Sequence, residues 1–258
     1  MIKIISAANM HPTNRARDEF FKYWRQRHGP LFSRTPNLRR YVQHFSVPEA
    51  YNGSSRPTHD GASMFWYDDL ESLARSTSPK LAEVVTPADG DLYEWYAASA
   101  RYGSPDEMTL QETVRADDRQ LFDRSTDWPV HTRRATVVAR ERVVVDGPTT
   151  PDMIKALYTA CKKPGLATDE FQQHWFEVHG ELGARVPGVR RYVQNHGIPE
   201  AYPIRAMTHD GFSEMWFDDM AALQRARESS EWAKLSEDGQ TLFAYPMSVV
   251  IAHEGIIK

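Results

Sequence analysis

The chain has a single cysteine, no long apolar run and little net charge, and each shortage excludes a class of protein. Cys161 alone cannot form an internal disulfide, so nothing calls for an oxidising compartment. No apolar stretch approaches the roughly 20 residues that a membrane-spanning helix needs, and the N-terminus lacks the apolar core of a signal peptide. A net charge of −4 is unlike the basic surface of a nucleic-acid-binding protein. We therefore expect a cytoplasmic protein that binds neither membrane nor nucleic acid.

Motifs for phosphate and metal binding are also missing from the sequence. Neither GxGxxG nor GxxxxGK[ST] occurs, so no glycine-rich phosphate loop is predicted. The metalloprotease pattern HExxH is absent, and His174 and His179 are spaced by five residues, which does not align two ligands on one helix face. Cys161 has no neighbour that would activate it as a nucleophile. The sequence therefore predicts no metal and no cofactor.

What the sequence does contain is an internal repeat. At an offset of 151 residues, the segment HGPLFSRTPNLRRYVQ, which begins at His28, corresponds to HGELGARVPGVRRYVQ, which begins at His179. The string PEAY follows in both copies, and an offset of 150 then aligns THDG at Thr58 with THDG at Thr208. A period this long with two copies indicates a domain duplication rather than a solenoid. We predict one unit over residues 1–147, with a helical insert around 77–115, and a second over 148–258.

Each copy predicts the element order β-α-β-β-α-β. The strand segments are IKIISAA, LRRYVQHF, ASMFWY and ATVVARERVVV in copy one, and IKALYTA, VRRYVQNH, FSEMWF and MSVVIAHEG in copy two. The first helix of copy one places Phe20 and Trp24 four residues apart on one face, and copy two repeats this with Phe171 and Trp175. This split β-α-β arrangement is that of an α+β, ferredoxin-like fold. The insert carries Tyr93, Trp95 and Tyr96 and serves either as packing or as a lid.

The helix-to-strand run of copy one, with the patterns F..YW...HGPL and PNLRRYVQ, resembles that of EthD-type domains of the dimeric α+β barrel superfamily. The resemblance covers almost the whole chain outside the insert. It implies two ferredoxin-like units packed as an intramolecular version of the usual homodimer, and it leaves open a further homodimer. Members of that superfamily include methylmuconolactone isomerases, polyketide cyclases, cofactor-free monooxygenases, fungal polyketide decarboxylases or dehydratases, and haem-binding proteins.

The resemblance also implies site residues. The methylmuconolactone isomerase type uses a histidine near the end of the first helix and a tyrosine on the second strand. The corresponding positions here are His28, His179, Tyr41 and Tyr192. That type also uses a cysteine on the third strand, where this sequence carries Met64 and Met215.

Strand alternation concentrates polar side chains in copy two. Tyr192, Gln194 and His196 share one face of the second strand, whereas copy one has Phe45 at the position of His196. On the third strand, Glu214 stands where copy one has a methionine. Polar groups on a buried face cost about 1–3 kcal/mol each when they are unsatisfied. We therefore predict the site in copy two, and His28 with Tyr41 mark the alternative in copy one.

Acid–base chemistry assigns a role to each candidate. His179 would act as a general base, Tyr192 would hydrogen-bond the resulting oxyanion, and Glu214 would orient His196 or His179. The Trp175 ring, with Trp24 in copy one, would form an apolar wall for a flat substrate. His59 and His209 in the THDG segments either contact the substrate or stabilise a turn. Structural alternatives stay open, since each site histidine precedes a glycine and could cap a helix end.

The sequence thus favours a cofactor-independent enzyme of small-molecule metabolism. Its substrate would be aromatic, polyketide-like or a lactone, and the reaction an isomerisation, dehydration, decarboxylation or cyclisation. Three alternatives remain. They are a cofactor-free monooxygenase acting on a phenol, a haem-binding protein with a histidine ligand, and a binding protein without catalytic activity.

Overall fold

An eight-stranded antiparallel barrel forms the centre of the protein, and helices pack on its outer surface. The computed structural model describes residues 1–11, 16–52, 56–77, 110, 114, 117–118, 121–123, 134–244 and 247–258. Nearly all of the predicted insert around 77–115, including its three aromatic residues, lies outside these ranges. No helix within the described ranges is both long enough and apolar enough to cross a membrane.

The strands follow the predicted segments to within two residues at each end. They are β1 Ile2–Ala8, β2 Arg40–Ser46, β3 Gly61–Tyr67, β4 Ala135–Val145, β5 Ile154–Ala160, β6 Arg191–Gly197, β7 Gly211–Phe217 and β8 Val249–Ile256. Their order around the barrel is β1-β3-β2-β8-β5-β7-β6-β4. Strands β4, β1, β3 and β2 are neighbours in the ferredoxin-like order, as are β8, β5, β7 and β6. The predicted α+β class is confirmed.

Helices connect the strands on the outside of the barrel. They are α1 Arg17–Tyr23, α2 Gly29–Phe32, α3 Leu70–Thr77, α4 Thr168–His174, α5 Gly180–Ala184, α6 Met220–Arg227 and α7 Ser230–Leu242. A π-helical turn, Trp24–His28, joins α1 to α2, and the turn Trp175–His179 joins α4 to α5. Such wider turns are rare and frequent at functional sites. Both predicted site histidines stand at the ends of these turns.

Alternation along each strand divides the apolar residues into an interior cluster and outer layers. Inside the barrel, Ile5, Met64 and Phe212 belong to one buried cluster. The outer layer of the second half includes Tyr192 and Met215, which pack beneath the helices. Consecutive side chains of a strand therefore pack into different clusters, one inside the barrel and the next beneath the helices.

Two lysines are buried among the apolar residues of the barrel interior. Lys3 Nζ lies 2.9 Å from Glu141 Oε1, and Lys155 Nζ lies 2.6 Å from Glu254 Oε1. Lys3 and Lys155 are 2% and 1% exposed, so each ammonium depends on its carboxylate partner in place of water. Both ion pairs occupy corresponding positions in the two halves.

Glu214 joins the two lysines. Its carboxylate forms ion pairs with both Lys3 and Lys155, and Asn195 Nδ2 donates to Oε1 at 2.8 Å. Burial alone would raise the pKa of Glu214, but the ammonium groups of Lys155 and Lys3 outweigh it and bring the pKa to about 2. Glu214 is therefore an ionised carboxylate that links strands from both halves.

Replacing Glu214 tests how far stability depends on this link. Glu214→Gln should lower the free energy of unfolding at pH 7 by about 3 kcal/mol, because two buried ammonium groups lose a shared counter-ion. Because the folded pKa lies below the ordinary value of 4.5, the wild type gains this stability above about pH 4.5 and loses it as pH falls towards 2. Urea unfolding across this range measures both effects.

Glu181→Gln is the matched control, because Glu181 is exposed and pairs with the exposed Arg185 one turn away. It should unfold like the wild type at every pH. A Glu214→Gln protein with wild-type stability at pH 7 would contradict a structural role for the interior carboxylate.

Candidate active site

A cavity of about 800 Å³ lies between the barrel and α7 in the second half. His179 and Tyr192 both line it, as predicted for a site in this half. The remaining wall is mixed, with apolar residues such as Met215, Leu235 and Phe243 beside polar residues such as Ser213 and Gln240. A volume of this size accommodates a small organic ligand, and a few polar groups among apolar walls are typical of ligand sites.

His179 is held by a carboxylate from α7. Its Nδ1 lies 2.8 Å from Asp238 Oδ2, and the other carboxylate oxygen lies 2.8 Å from His174 Nε2. Burial raises the pKa of Asp238, but the hydrogen bonds from His179 and His174 lower it by more, so the carboxyl stays ionised. With Nδ1 occupied, Nε2 is the ring nitrogen left to act on a ligand.

Gln194, a residue of β6, forms a hydrogen bond with the π-helical turn. Its Nε2 donates to the backbone oxygen of Trp175 at 2.7 Å and to the Tyr192 hydroxyl at 2.9 Å. Because the Tyr192 oxygen accepts this bond, the hydroxyl can still donate its own proton. Burial raises the pKa of Tyr192, so the hydroxyl keeps that proton at neutral pH. The arrangement fixes an imidazole and a hydroxyl donor around one cavity.

His196 lies behind this arrangement and does not line the cavity. Its Nε2 donates to Gln194 Oε1 at 2.9 Å, and its ring stacks on Trp175 at a centroid distance of 4.4 Å. Burial, with a smaller effect of Arg142, lowers the pKa of His196 to about 3. The ring is therefore neutral, and His196, a predicted site residue, contacts Gln194 rather than the cavity.

The role predicted for Glu214 is wrong. Glu214 stands directly opposite Val193 in the β6–β7 ladder and shares its interior face, whereas Tyr192 stands opposite Met215 on the outer face. The carboxylate therefore contacts lysines inside the barrel and neither His179 nor His196. The error is one of strand parity, because a shift of one residue moves every side chain to the other face.

The two tryptophans proposed as walls of the site are core residues. Trp175 packs against Phe171, Phe243 and the ring of His196, and it does not line the cavity. Trp24 packs in the same way against Phe20, Phe45 and Phe122. Side chains on a helix point back towards its N-terminus, which carries both rings between helix and sheet.

The THDG histidines belong to turns rather than to the cavity. His59 Nδ1 lies 3.1 Å from Thr58 Oγ1, and His209 Nδ1 lies 2.8 Å from Thr208 Oγ1. Burial lowers the pKa of His209 to about 4, with a smaller contribution from His59. Of the two roles open from the sequence, these contacts favour the turn-stabilising one.

The helix-cap alternative for His28 and His179 does not hold, because the chain stays helical beyond each following glycine. Gly29 and Gly180 have φ values of −55° and −60°, and α2 and α5 continue from them. A Cβ at Gly180 would lie 3.2 Å from Gln194 Nε2. Glycine at this position therefore leaves room for the glutamine that holds the turn.

The first half has the same polar residues in more crowded surroundings. His28 Nδ1 lies 2.7 Å from Asp117 Oδ2, and Gln43 Nε2 donates to the Tyr41 hydroxyl at 2.8 Å. Phe65 packs on the Tyr41 ring at a centroid distance of 4.7 Å.

The corresponding positions of the second half carry smaller residues. Phe32 lies 5.4 Å from the Tyr41 ring and corresponds to Gly183, and Phe65 corresponds to Met215. Near His28, Asp118 binds Arg134 at 3.2 Å, and these residues correspond to Gly239 and Met247. Met215 and Met247 line the cavity with His179 and Tyr192, whereas Gly183 is in close contact with the Tyr192 ring.

Sequence reasoning missed the carboxylate partners of the histidines. Asp117 and Asp238 correspond at an offset of 121 residues, and each is followed by a Leu-Phe pair in the pattern DxxxLF. Phe122 and Phe243 from that pattern each pack edge-on against the site histidine of their half. The repeated pattern was a signal that could have located both aspartates.

Comparison with known proteins identifies the family. The EthD domain model matches residues 14–91 and 163–244, which together exceed half of the chain. The chain belongs to the EthD domain family. No curated protein matches it. Within the described part of this EthD protein, no group of three or more His, Cys, Asp or Glu side chains could hold a metal ion.

Solved structures share the fold. An anthrone oxidase-like protein is 11% identical with a TM-score of 0.57, covering 99% of this chain and 93% of that one. A candidate monooxygenase from Fusobacterium nucleatum is 7% identical with a TM-score of 0.50, covering 100% and 92%. An EthD family protein from Bacillus halodurans is 22% identical with a TM-score of 0.33, covering 39% and 97%. At these identities the likeness to the first two structures concerns the fold alone.

Gly183 allows the close approach of Tyr192 to α5, and this contact is testable. A Cβ at Gly183 would lie 2.5 Å from Tyr192 Cε1, so Gly183→Ala must displace the ring. We expect a loss of about 1–3 kcal/mol in the free energy of unfolding. In a Tyr192→Leu background the penalty should shrink, because the clashing ring atoms are gone. Equal penalties in both backgrounds would show that Tyr192 is not the cause.

Proposed function

We propose that this EthD protein is a cofactor-independent enzyme whose working site is the cavity of the second half. The observation behind the proposal is that His179, hydrogen-bonded to Asp238, and Tyr192, hydrogen-bonded to Gln194, line one cavity. A base and a proton donor positioned around an apolar space are the elements that proton-transfer catalysis requires. The substrate would be aromatic, polyketide-like or a lactone.

The chemistry follows from the two groups. His179 Nε2 takes a proton from a carbon next to a carbonyl, and the electron pair of the C–H bond moves onto the carbonyl oxygen. The Tyr192 hydroxyl donates a hydrogen bond to that oxyanion, and ionised Asp238 stabilises the imidazolium. Return of the proton to another carbon completes an isomerisation, and loss of hydroxide with that proton completes a dehydration.

We further propose that residues 1–147 and 148–258 are fused duplicates that together stand in for a homodimer. Family matches in both halves and the equivalent order of their strands support this. In this proposal the first half supplies barrel strands, whereas the second half keeps the open cavity. The crowding of Tyr41 by Phe32 and Phe65 supports this division.

A second candidate is a cofactor-free monooxygenase. The same dyad would deprotonate a phenol, and the resulting anion would react with dioxygen. The names of two structural neighbours, the anthrone oxidase-like protein and the candidate monooxygenase, support this reaction as the second candidate. Substrate-dependent oxygen uptake, measured with an oxygen electrode, distinguishes it from proton transfer alone. A Soret band in the purified protein would instead favour haem binding.

Substitution of the two histidines tests the proposal. Turnover of a panel of anthrones, hydroxyanthraquinones, naphthols and lactones is compared for wild type, His179→Ala and His28→Ala. We expect His179→Ala to lower turnover about 10²–10⁴-fold, because it removes the base. Asp238→Asn should lower turnover by less, since the imidazole remains, and Tyr192→Phe should lose the oxyanion donor.

His28→Ala is the matched control, since it removes the equivalent imidazole from the crowded half. It should keep activity close to that of the wild type. Equal losses in both histidine variants would place chemistry in both halves. Unchanged turnover in His179→Ala, with the protein still folded by circular dichroism, would remove the proposed base.

A further inference from the structure

Arg227, the last residue of α6, lines the same cavity as His179. Its Nη2 donates to the Tyr158 hydroxyl at 3.0 Å. Within the described part of the chain, no carboxylate lies within ion-pair distance of this guanidinium. A guanidinium carries five N–H donors, so most of its hydrogen-bonding capacity is not used by Tyr158.

Several other arginines of the two halves have acidic partners. Arg134 pairs with Asp118, Arg190 with Asp218, and Arg191 with Asp146. Arg134 is informative because it lies beside His28, in the first half, and its charge is neutralised there. The second half has Met247 at the position that corresponds to Arg134. Its cation is Arg227, which lies elsewhere on the cavity wall.

The surroundings of Arg227 favour an anion over water. Trp232 lies under the guanidinium, with Arg227 Cζ 5.9 Å from the ring centroid, and Leu235 and Val249 also face the cavity. A half-buried cation among apolar groups gains most from a charged hydrogen-bond acceptor. Because the Tyr158 oxygen accepts from Arg227, the Tyr158 proton can be donated to the same acceptor.

The position of Arg227 relative to the dyad follows from α7. Trp232, beside Arg227, and Asp238, beside His179, are six residues apart on this helix. At 1.5 Å per residue they are separated by roughly 9 Å along the axis. This is closer to the length of three fused aromatic rings than of two, so one flat three-ring molecule with a carboxylate can reach both groups.

We propose that Arg227 and Tyr158 form a carboxylate-binding subsite, so that the ligand of this cavity is a flat polycyclic aromatic acid. The planar guanidinium matches the two oxygens of a carboxylate, and Trp232 supplies a ring face beside them. The carboxylate is held at Arg227, and the opposite end of the molecule lies at His179 and Tyr192. This inference rests on the proposed function, because it takes the cavity to be the ligand site.

A matched pair of ligands tests the subsite without knowledge of the substrate. Binding of anthracene-2-carboxylate and of its neutral analogue anthracene-2-carboxamide is measured by calorimetry. The proteins compared are the wild type, Arg227→Gln, Arg227→Lys and Arg225→Gln. Arg225 lies on the same helix, is exposed and does not line the cavity, so its replacement removes the same charge elsewhere.

We expect the wild type to bind the carboxylate at least 10-fold more tightly than the carboxamide. Arg227→Gln should weaken carboxylate binding 10- to 100-fold and change carboxamide binding less than 3-fold. Arg227→Lys should recover part of the loss, since it restores the charge without the planar fork. Arg225→Gln should leave both affinities unchanged.

Equal binding of the two ligands by the wild type would overturn the subsite while leaving the cavity as a ligand site. Equal weakening of both ligands in Arg227→Gln would also overturn it, and would assign the arginine to the C-terminal end of α6 as a structural cation. These outcomes do not depend on turnover. If Arg227 selects the carboxylate but His179→Ala retains full turnover, the subsite stands and the proposed catalysis falls.

Discussion

Closure of the barrel depends on two strands that pair with both halves of the chain. β4 pairs with β1 and with β6, and β8 pairs with β5 and with β2. Without these pairings, each four-stranded sheet would expose a row of unpaired backbone groups at its edge. With them, every strand has two neighbours and one face of every strand is enclosed. Each half therefore completes the interior of the other.

Charge in that interior adds a second constraint. Lys3 and Lys155 have separate carboxylate partners, but Glu214 contacts both of them. In the first half the position of Glu214 in the β-ladder is taken by Met64, opposite Val42. The ionic network is thus asymmetric although the strands are equivalent. The second half supplies the carboxylate that both ammonium groups share, so the two halves are complementary and not interchangeable.

Outside the barrel, the same backbone supports two different environments. Both halves hold a histidine on an aspartate and a tyrosine on a glutamine. The volume beside these groups is set by a few residues that play no part in the polar contacts. Aromatic rings fill the space around Tyr41, whereas Met215 and Met247 line a cavity beside Tyr192. Side-chain volume, rather than the polar set, separates the two halves in our proposal.

The sequence by itself determined the strands and the first helix of each copy. Local alternation and the repeat specify these features, because each depends on residues close together in the chain. The family resemblance supplied the barrel and the choice of His179 and Tyr192 as site residues, which no local pattern contains. Only the tertiary structure decided the rest. Asp238 contacts His179 although 59 residues separate them in the chain. Glu214 faces the barrel interior because strand pairing, and not the local sequence, decides which face of the sheet a residue occupies after a loop. Arg227 joined the cavity through the packing of α6 and α7 on the barrel, which depends on distant side chains.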